Sequence, residues 1–138
     1  MAQMNKRWWL VAVLRVSGVG MLFALIFVFC PFSWMVRINA WLGMSEELVY
    51  TPVANYLIRT LSAMYAIIGS LFILISFDLR RYREIIRFLG TIAIAAGLGI
   101  TILDAILRLP FLWTALEGPM TIALGAIILY LSRTKRRR

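Results

Sequence analysis

The sequence predicts an all-α integral membrane protein: one domain over residues 1–138, built as a bundle of four transmembrane helices. Three observations predict this class. Apolar residues make up 62% of the 138 residues and charged residues only 15%, against roughly 45–50% and 25% in soluble proteins. Four apolar stretches are each long enough to cross a hydrocarbon layer of about 30 Å as a helix. The basic residues are concentrated on alternate connections between those stretches.

The first two spans are predicted at about residues 8–29 and 53–77. The first stops at Cys30-Pro31 and exceeds the roughly 7–15 apolar residues of a signal peptide. It has no small-residue cleavage site before Pro31, so an uncleaved helix is expected. The second span follows Thr51-Pro52, a pair typical of a helix N-cap and first helical residue.

The segment 31–51 is the only long connection and is predicted to contain a short interfacial helix. Trp34, Ile38, Trp41 and Leu42 recur at the spacing of one helical face. Gly43 is placed to end that helix. Aromatic residues at this spacing favour a helix that lies flat at the outer headgroup level.

The third and fourth spans are predicted at about residues 84–108 and 111–131, joined by a tight turn at Leu109-Pro110. A basic tail, 132–138, follows. Small residues at four-residue spacing predict close helix packing inside the bundle or, alternatively, a dimer face. They are Ser62, Ala66 and Ser70, then Ala93 and Gly97, then Ala95 and Gly99.

The distribution of basic residues predicts the orientation. Of the 15 Lys and Arg residues, 12 lie toward the side of the termini and of the connection between the second and third spans. These are Lys6, Arg7, Arg15, Arg80, Arg81, Arg83, Arg87, Arg133, Lys135, Arg136, Arg137 and Arg138. By the positive-inside rule, both termini are expected in the cytoplasm and the chain in the inner membrane.

The missing residue types exclude most cofactor chemistry. The chain has no His and one Cys, Cys30, and its two lysines lie in polar tails. Ligation of haem by His, an intramolecular disulfide, a Cys-based zinc cluster and a buried Schiff-base lysine are therefore excluded. No phosphate-binding glycine motif occurs. We therefore expect no cofactor and no metal. We also expect no nucleic acid as a partner, because anionic membrane lipids explain the net charge of +9.

Charged residues inside the spans are the strongest candidate site. At 1.5 Å per residue, Arg59, Asp104 and Glu117 all lie roughly 9–10 Å below the outer boundary. Arg108 follows Asp104 by four residues, so the two are predicted to pair on one helix face. The predicted site is a polar pocket open to the outer side, formed by Arg59, Asp104, Arg108 and Glu117 with Asn55, Ser62 and Tyr65.

Three interpretations of this cluster remain open: a structural network that fixes helix register, a ligand or lipid-headgroup site, and a proton or ion pathway. Pro119 removes the helical partner of the Ala115 carbonyl beside Glu117, so a kink is expected there. On the cytoplasmic side, Arg15 is predicted to pair with Asp78, with lipid binding as the alternative.

Several short elements resemble the DoxX-like family of small four-helix inner-membrane proteins. They are Leu14-Arg15, Arg59-Thr60-Leu61-Ser62 with Gly69 after it, and Glu117-Gly118-Pro119. The resemblance implies a four-helix inner-membrane protein, in a group with some members linked to redox complexes. The absence of His and of paired Cys argues against a direct redox role for this chain.

The predicted function is non-enzymatic. We expect an accessory or scaffolding membrane subunit, in a larger complex or a homo-oligomer, or a binder of a lipid or small amphiphile. The alternative is a small transporter or proton-coupled carrier that uses Arg59, Asp104 and Glu117. A membrane enzyme ranks third, since no nucleophile accompanies the two carboxylates.

Overall fold

The computed structural model describes residues 2–43 and 48–133, and this part of the chain is helical with no β-strand. Its six α-helices are α1 (Ala2–Leu22), α2 (Leu25–Phe29), α3 (Phe32–Trp41), α4 (Pro52–Phe77), α5 (Arg83–Leu107) and α6 (Phe111–Ser132). Within the predicted interfacial segment and basic tail, residues 44–47 and 134–138 lie outside the described residues.

Four helical stretches are long and apolar enough to cross a membrane: Asn5–Phe29, Pro52–Phe77, Arg83–Leu107 and Phe111–Ser132. Their ends differ from the predicted spans by at most three residues. The four apolar helices indicate a multi-pass membrane protein.

The first span consists of two helices rather than the single helix that the sequence predicts. A turn at Phe23 and Ala24 separates α1 from α2. The N–H of Ala24 donates to the Met21 carbonyl (3.1 Å) and the N–H of Ile26 to the Phe23 carbonyl (3.1 Å). These i→i−3 bonds tighten the chain locally while keeping its polar groups paired. The first span therefore passes from α1 to α2 through a turn in which these N–H groups remain hydrogen-bonded.

Side chains at both ends of α4 accept hydrogen bonds from the neighbouring backbone. The Thr51 hydroxyl accepts a hydrogen bond from the N–H of Ala54 (3.0 Å), which confirms Thr51 as the N-cap of α4. At the other end, Asp78 Oδ1 accepts from the N–H groups of Arg80 and Arg81 (both 3.1 Å). The Asp78 side chain thereby fixes the turn that precedes α5.

Helix α3 is present, and its predicted apolar face is exposed. Trp34 and Trp41 lie on the surface, with 82% of Trp41 exposed, whereas Met35 is buried. The position of α3 at the headgroup level stays a prediction.

The spans are arranged as two antiparallel pairs, α1 with α4 and α5 with α6, joined by a smaller contact between α1 and α6. Glycines allow the close approach within each pair. A Cβ atom on Gly69 would lie 2.6 Å from the Gly18 carbonyl oxygen, and one on Gly125 would lie 2.6 Å from that of Gly90. By contrast, Gly99 faces open space.

The apolar core lies toward one end of the bundle. Each span contributes one fully buried residue to it: Leu14, Ile75, Ile86 and Ile128. We call this end the basic half, because it contains the start of α1, the turn from α4 to α5 and the end of α6. The opposite end, which carries α3, is the α3 half. The candidate site residues at 55–65 and 104–117 belong to the α3 half.

Candidate functional site

Arg59 binds the end of α2 rather than an acidic side chain. Its Nε donates to Asn55 Oδ1 (2.9 Å), one turn earlier on α4. Its guanidinium also donates to the carbonyl of Val28 and to that of Cys30 (3.1 Å). These three acceptors occupy the half-buried Arg59 side chain. Arg59 and Asn55 are thus brought together as predicted, but with the backbone of α2 as their third partner.

The helix end explains why Arg59 is needed there. Cys30 is extended, and Pro31 has no N–H with which to continue the helix. The last carbonyls of α2 therefore need donors, and lipid supplies none. A cation at a helix C-terminus also interacts favourably with the helix dipole. Arg59 is accounted for as a structural cap.

Arg108 does not form the predicted pair with Asp104. Helix α5 ends at Leu107, and Arg108 adopts a left-handed conformation with φ of 52°. Its N–H donates to the Ala105 carbonyl (3.3 Å), and the N–H of Leu109 to the Asp104 carbonyl (3.1 Å). Because Arg108 has left the helix, the i,i+4 geometry that the prediction assumed is absent. The Arg108 side chain is exposed.

Asp104 is a buried acid with no ion-pair partner in the described part of the chain. Only 3% of the residue is exposed, and Oδ2 has no hydrogen-bond partner. It lies in the last turn of α5, where the negative end of the helix dipole disfavours a carboxylate. A buried polar atom without a partner is rare and costly, so Asp104 needs an explanation beyond packing.

Glu117 borders a pocket of about 320 Å³ between α3, α4 and α6. The lining residues are Leu42, Leu61, Tyr65, Trp113, Leu116 and Glu117. The Trp113 indole, one turn before Glu117, is the hydrogen-bond donor beside its carboxylate. Glu117 also lies within electrostatic range of Tyr65 and of Asp104. The pocket is apolar and aromatic except for one carboxylate and one phenol.

The two acids meet along the contact between α5 and α6. Thr101 lies against Gly118 on the facing helix. Asp104 follows Thr101 by three residues, and Glu117 directly precedes Gly118. Among the described residues, the ion pair that forms is Arg87 with Glu84 (3.5 Å), in the basic half. Neither Asp104 nor Glu117 forms an ion pair with any described residue.

The structure therefore separates the predicted cluster into two parts. Arg59 and Asn55 belong to the end of α2, whereas Tyr65, Asp104 and Glu117 form an acidic group beside the pocket. Ser62 is buried on α4. The sequence does not indicate that Leu42, Leu61 and Leu116 are pocket walls. An apolar residue carries no signal that separates a pocket wall from a lipid-facing position.

Arg15 and Asp78 each have a different partner from the one predicted. Arg15 Nε donates to Ser76 Oγ (3.2 Å), and its guanidinium lies 5.3 Å from the centre of the Phe77 ring. The Asp78 carboxylate is engaged with the backbone of the following turn. The Asp78 carboxylate therefore accepts hydrogen bonds from nearby backbone N–H groups instead of pairing with Arg15.

A second pocket, of about 370 Å³, lies on α1 and α2 beside the turn at Phe23 and Ala24. It is lined by Val19, Leu22, Phe23, Leu25, Ile26 and Phe29. With no polar side chain, it has the chemistry of a lipid-facing groove.

Within the described residues, no group of three or more His, Cys, Asp and Glu is placed to hold a metal ion. Fold and site together define a helical multi-pass membrane protein with an acidic pocket at one end of the bundle. No family model matches the chain, and neither a curated protein nor a solved structure is significantly similar to it. The resemblance to DoxX-like proteins stays a prediction.

Proposed function

We propose that this protein is a non-enzymatic membrane protein whose pocket binds a small amphiphile with a cationic head. One observation carries the proposal: the Glu117 carboxylate borders an apolar, aromatic pocket and has no ion-pair partner among the described residues. A charge at membrane depth is costly unless it is compensated. A ligand cation would provide that compensation.

The other walls fit the two ends of such a ligand. The aromatic rings of Trp113 and Tyr65 flank Glu117, and aromatic faces attract cations. Leu42, Leu61 and Leu116 provide the apolar surface for a short hydrocarbon tail. A volume of about 320 Å³ is at the lower end of the range for small-molecule pockets.

The proposed orientation places this pocket on the outer side of the inner membrane, with both termini in the cytoplasm. Only Arg37, Arg59 and Arg108 of the 15 basic residues belong to the α3 half, which agrees with the positive-inside rule. The exposed Trp34 and Trp41 suit a helix at the outer headgroup level. A ligand would therefore enter from that side or from the outer leaflet.

Titration of the purified protein with decyltrimethylammonium tests the proposal. We expect saturable binding, seen as a change in tryptophan fluorescence, which Glu117→Gln weakens at least about tenfold, since a charge pair in a desolvated site contributes more than 1.4 kcal/mol. Decyl sulfate and decanol, which share the tail but lack the cation, should bind far more weakly. The matched control is Glu84→Gln, an exposed acid of the basic half, which should bind as the wild type does.

Binding that is unchanged in Glu117→Gln, or equal for the cationic and anionic amphiphiles, contradicts the proposal. Native mass spectrometry of the same preparation identifies the source of the ligand. An amine-headed phospholipid retained by the wild type and lost in Glu117→Gln indicates a membrane lipid. A smaller retained cation indicates a free amphiphile.

A second candidate function is that of an accessory or scaffolding subunit. It is favoured by the outward face of α5, where Gly99 faces open space and Ala95 is exposed. Small residues on a lipid-facing helix allow another helix to approach closely. The partner would be a larger membrane complex or a second copy of this chain. A lone monomer in mild detergent, seen by native mass spectrometry, counts against this role.

A further inference from the structure

Asp104 has no counter-ion in the described part of the chain, although two arginines lie in the same half. Arg59 is engaged with the end of α2, and the Arg108 side chain is exposed beyond the end of α5. Asp104 is 3% exposed, and its Oδ2 has no hydrogen-bond partner. The Asp104 carboxyl group lies in the last turn of α5, where the helix dipole favours a cation.

Other oxygen atoms lie within about one helical turn of Asp104 along the contact between α5 and α6. The Thr101 hydroxyl donates its hydrogen to the Gly97 carbonyl (2.7 Å), so its lone pairs remain available. Thr101 faces Gly118, where an added Cβ atom would collide with its hydroxyl oxygen. Because the helices are antiparallel, Asp104 lies one turn further along, opposite the turn of α6 that contains Ala115.

Pro119 adds a backbone acceptor to this group. It lies inside α6 and has no N–H, so the Ala115 carbonyl has no i+4 partner. A carbonyl freed in this way needs a donor or a cation when water is excluded. Freed carbonyls and helix C-termini are the groups that coordinate Na⁺ in broken membrane helices.

We propose that Asp104, the Thr101 hydroxyl, the Ala115 carbonyl and Glu117 form a binding site for Na⁺ between α5 and α6. All four ligands are oxygen atoms, the preference of a hard cation, and they come from two helices held together by glycine contacts. Glu117 is shared with the pocket: one carboxylate oxygen contributes to the Na⁺ site and the other remains beside the pocket. The Na⁺ site rests on Asp104 and does not require a ligand in the pocket.

Thermal unfolding of the full-length protein in an uncharged detergent tests the site at constant ionic strength in NaCl, KCl or N-methylglucamine chloride. For a Kd of about 10 mM, about 150 mM Na⁺ shifts the folding equilibrium roughly 16-fold. We expect a higher melting temperature in NaCl than in the other two salts. Asp104→Asn, which keeps the shape of the side chain, should abolish the difference, and the control Glu84→Gln should retain it.

Direct binding of radioactive ²²Na⁺ provides a measurement that does not depend on unfolding. One ion per chain is expected for the wild type, with loss in Asp104→Asn and a large decrease in Thr101→Val. If Asp104→Asn does not fold, Thr101→Val decides the question, because valine has a similar shape and carries a methyl group in place of the hydroxyl.

Equal stabilisation by all three salts, or a Na⁺ effect that survives both substitutions, overturns the proposal. Leu61→Trp distinguishes this site from the pocket. It fills the pocket from α4, so it should prevent amphiphile binding and leave the Na⁺ effect intact. Loss of Na⁺ binding in Leu61→Trp would also overturn a site formed by α5 and α6 alone.

Discussion

The basic half and the α3 half of this bundle differ in how their polar side chains are paired. In the basic half, Asp78 caps a turn, Arg15 binds Ser76, and an apolar core closes between the four spans. In the α3 half, Arg59 donates three hydrogen bonds, to Asn55 and to the end of α2, but Asp104 and Glu117 have no cationic partner among the described residues. The basic half thus contains the apolar core, whereas the α3 half keeps two acids without cationic partners beside a pocket.

The contrast separates two kinds of charged residue inside a span. The sequence predicts similar depths for Arg59 and Asp104, yet one satisfies backbone carbonyls and the other is buried without a partner for Oδ2. Depth alone therefore does not indicate function. The useful criterion is whether the neighbouring structure already supplies a partner.

The largest expected effect on stability comes from the core of the basic half. Ile75→Ala should lower the free energy of unfolding by about 2–5 kcal/mol, because it leaves a cavity at a site with 0% exposure. Leu61→Ala, at an exposed wall of the pocket, should cost less than about 1 kcal/mol. Unfolding titrations in mixed detergent measure both, and similar losses would show that the two halves contribute equally.

An intermediate effect is expected at the end of α2. Arg59→Gln leaves the carbonyls of Val28 and Cys30 without their donor, at a cost of about 2–4 kcal/mol for the two groups. Arg15→Gln, an exposed arginine with one hydrogen bond to Ser76, should cost less. Unfolding titrations in mixed detergent measure both free energies. A greater loss of stability for Arg15→Gln than for Arg59→Gln would contradict the capping role of Arg59.

The smallest expected effect is at the N-cap of α4. Thr51→Ala removes the acceptor for the N–H of Ala54 and should cost about 1 kcal/mol. Thr91→Ala is the matched control, because the Thr91 hydroxyl bonds only to the Arg87 carbonyl of its own helix. Amide hydrogen exchange at the start of α4 should increase in Thr51→Ala alone. Equal exchange in both variants would contradict the capping role.

The sequence predicts the spans well because length and apolar composition are local properties. Thr51-Pro52 and Leu109-Pro110 mark helix ends for the same reason. The partner of Arg59 could not be predicted from depth, since it depends on how α2 ends against α4. One signal was present: Pro31 implies carbonyls that lack helical donors, and an arginine at matching depth is suited to bind them.

The pairing of Asp104 with Arg108 failed for a related reason. The i,i+4 rule holds only while both residues are helical, and the left-handed Arg108 lies just past that limit. Thr101 was not identified because a single threonine in an apolar span has no periodic signal. Its position against Gly118 emerges only when α5 and α6 are packed together.

The glycine-mediated pairs also determine the order in which the chain can assemble during synthesis. Each pair consists of consecutive spans: α1 and α4 are complete once Phe77 has been made, and α5 and α6 follow as a second hairpin. Contacts between consecutive segments form quickly, because little chain must be closed to make them. The first hairpin can therefore enter the bilayer and pack before the second emerges from the ribosome. The contact between α1 and α6, which joins the hairpins, is the last to form.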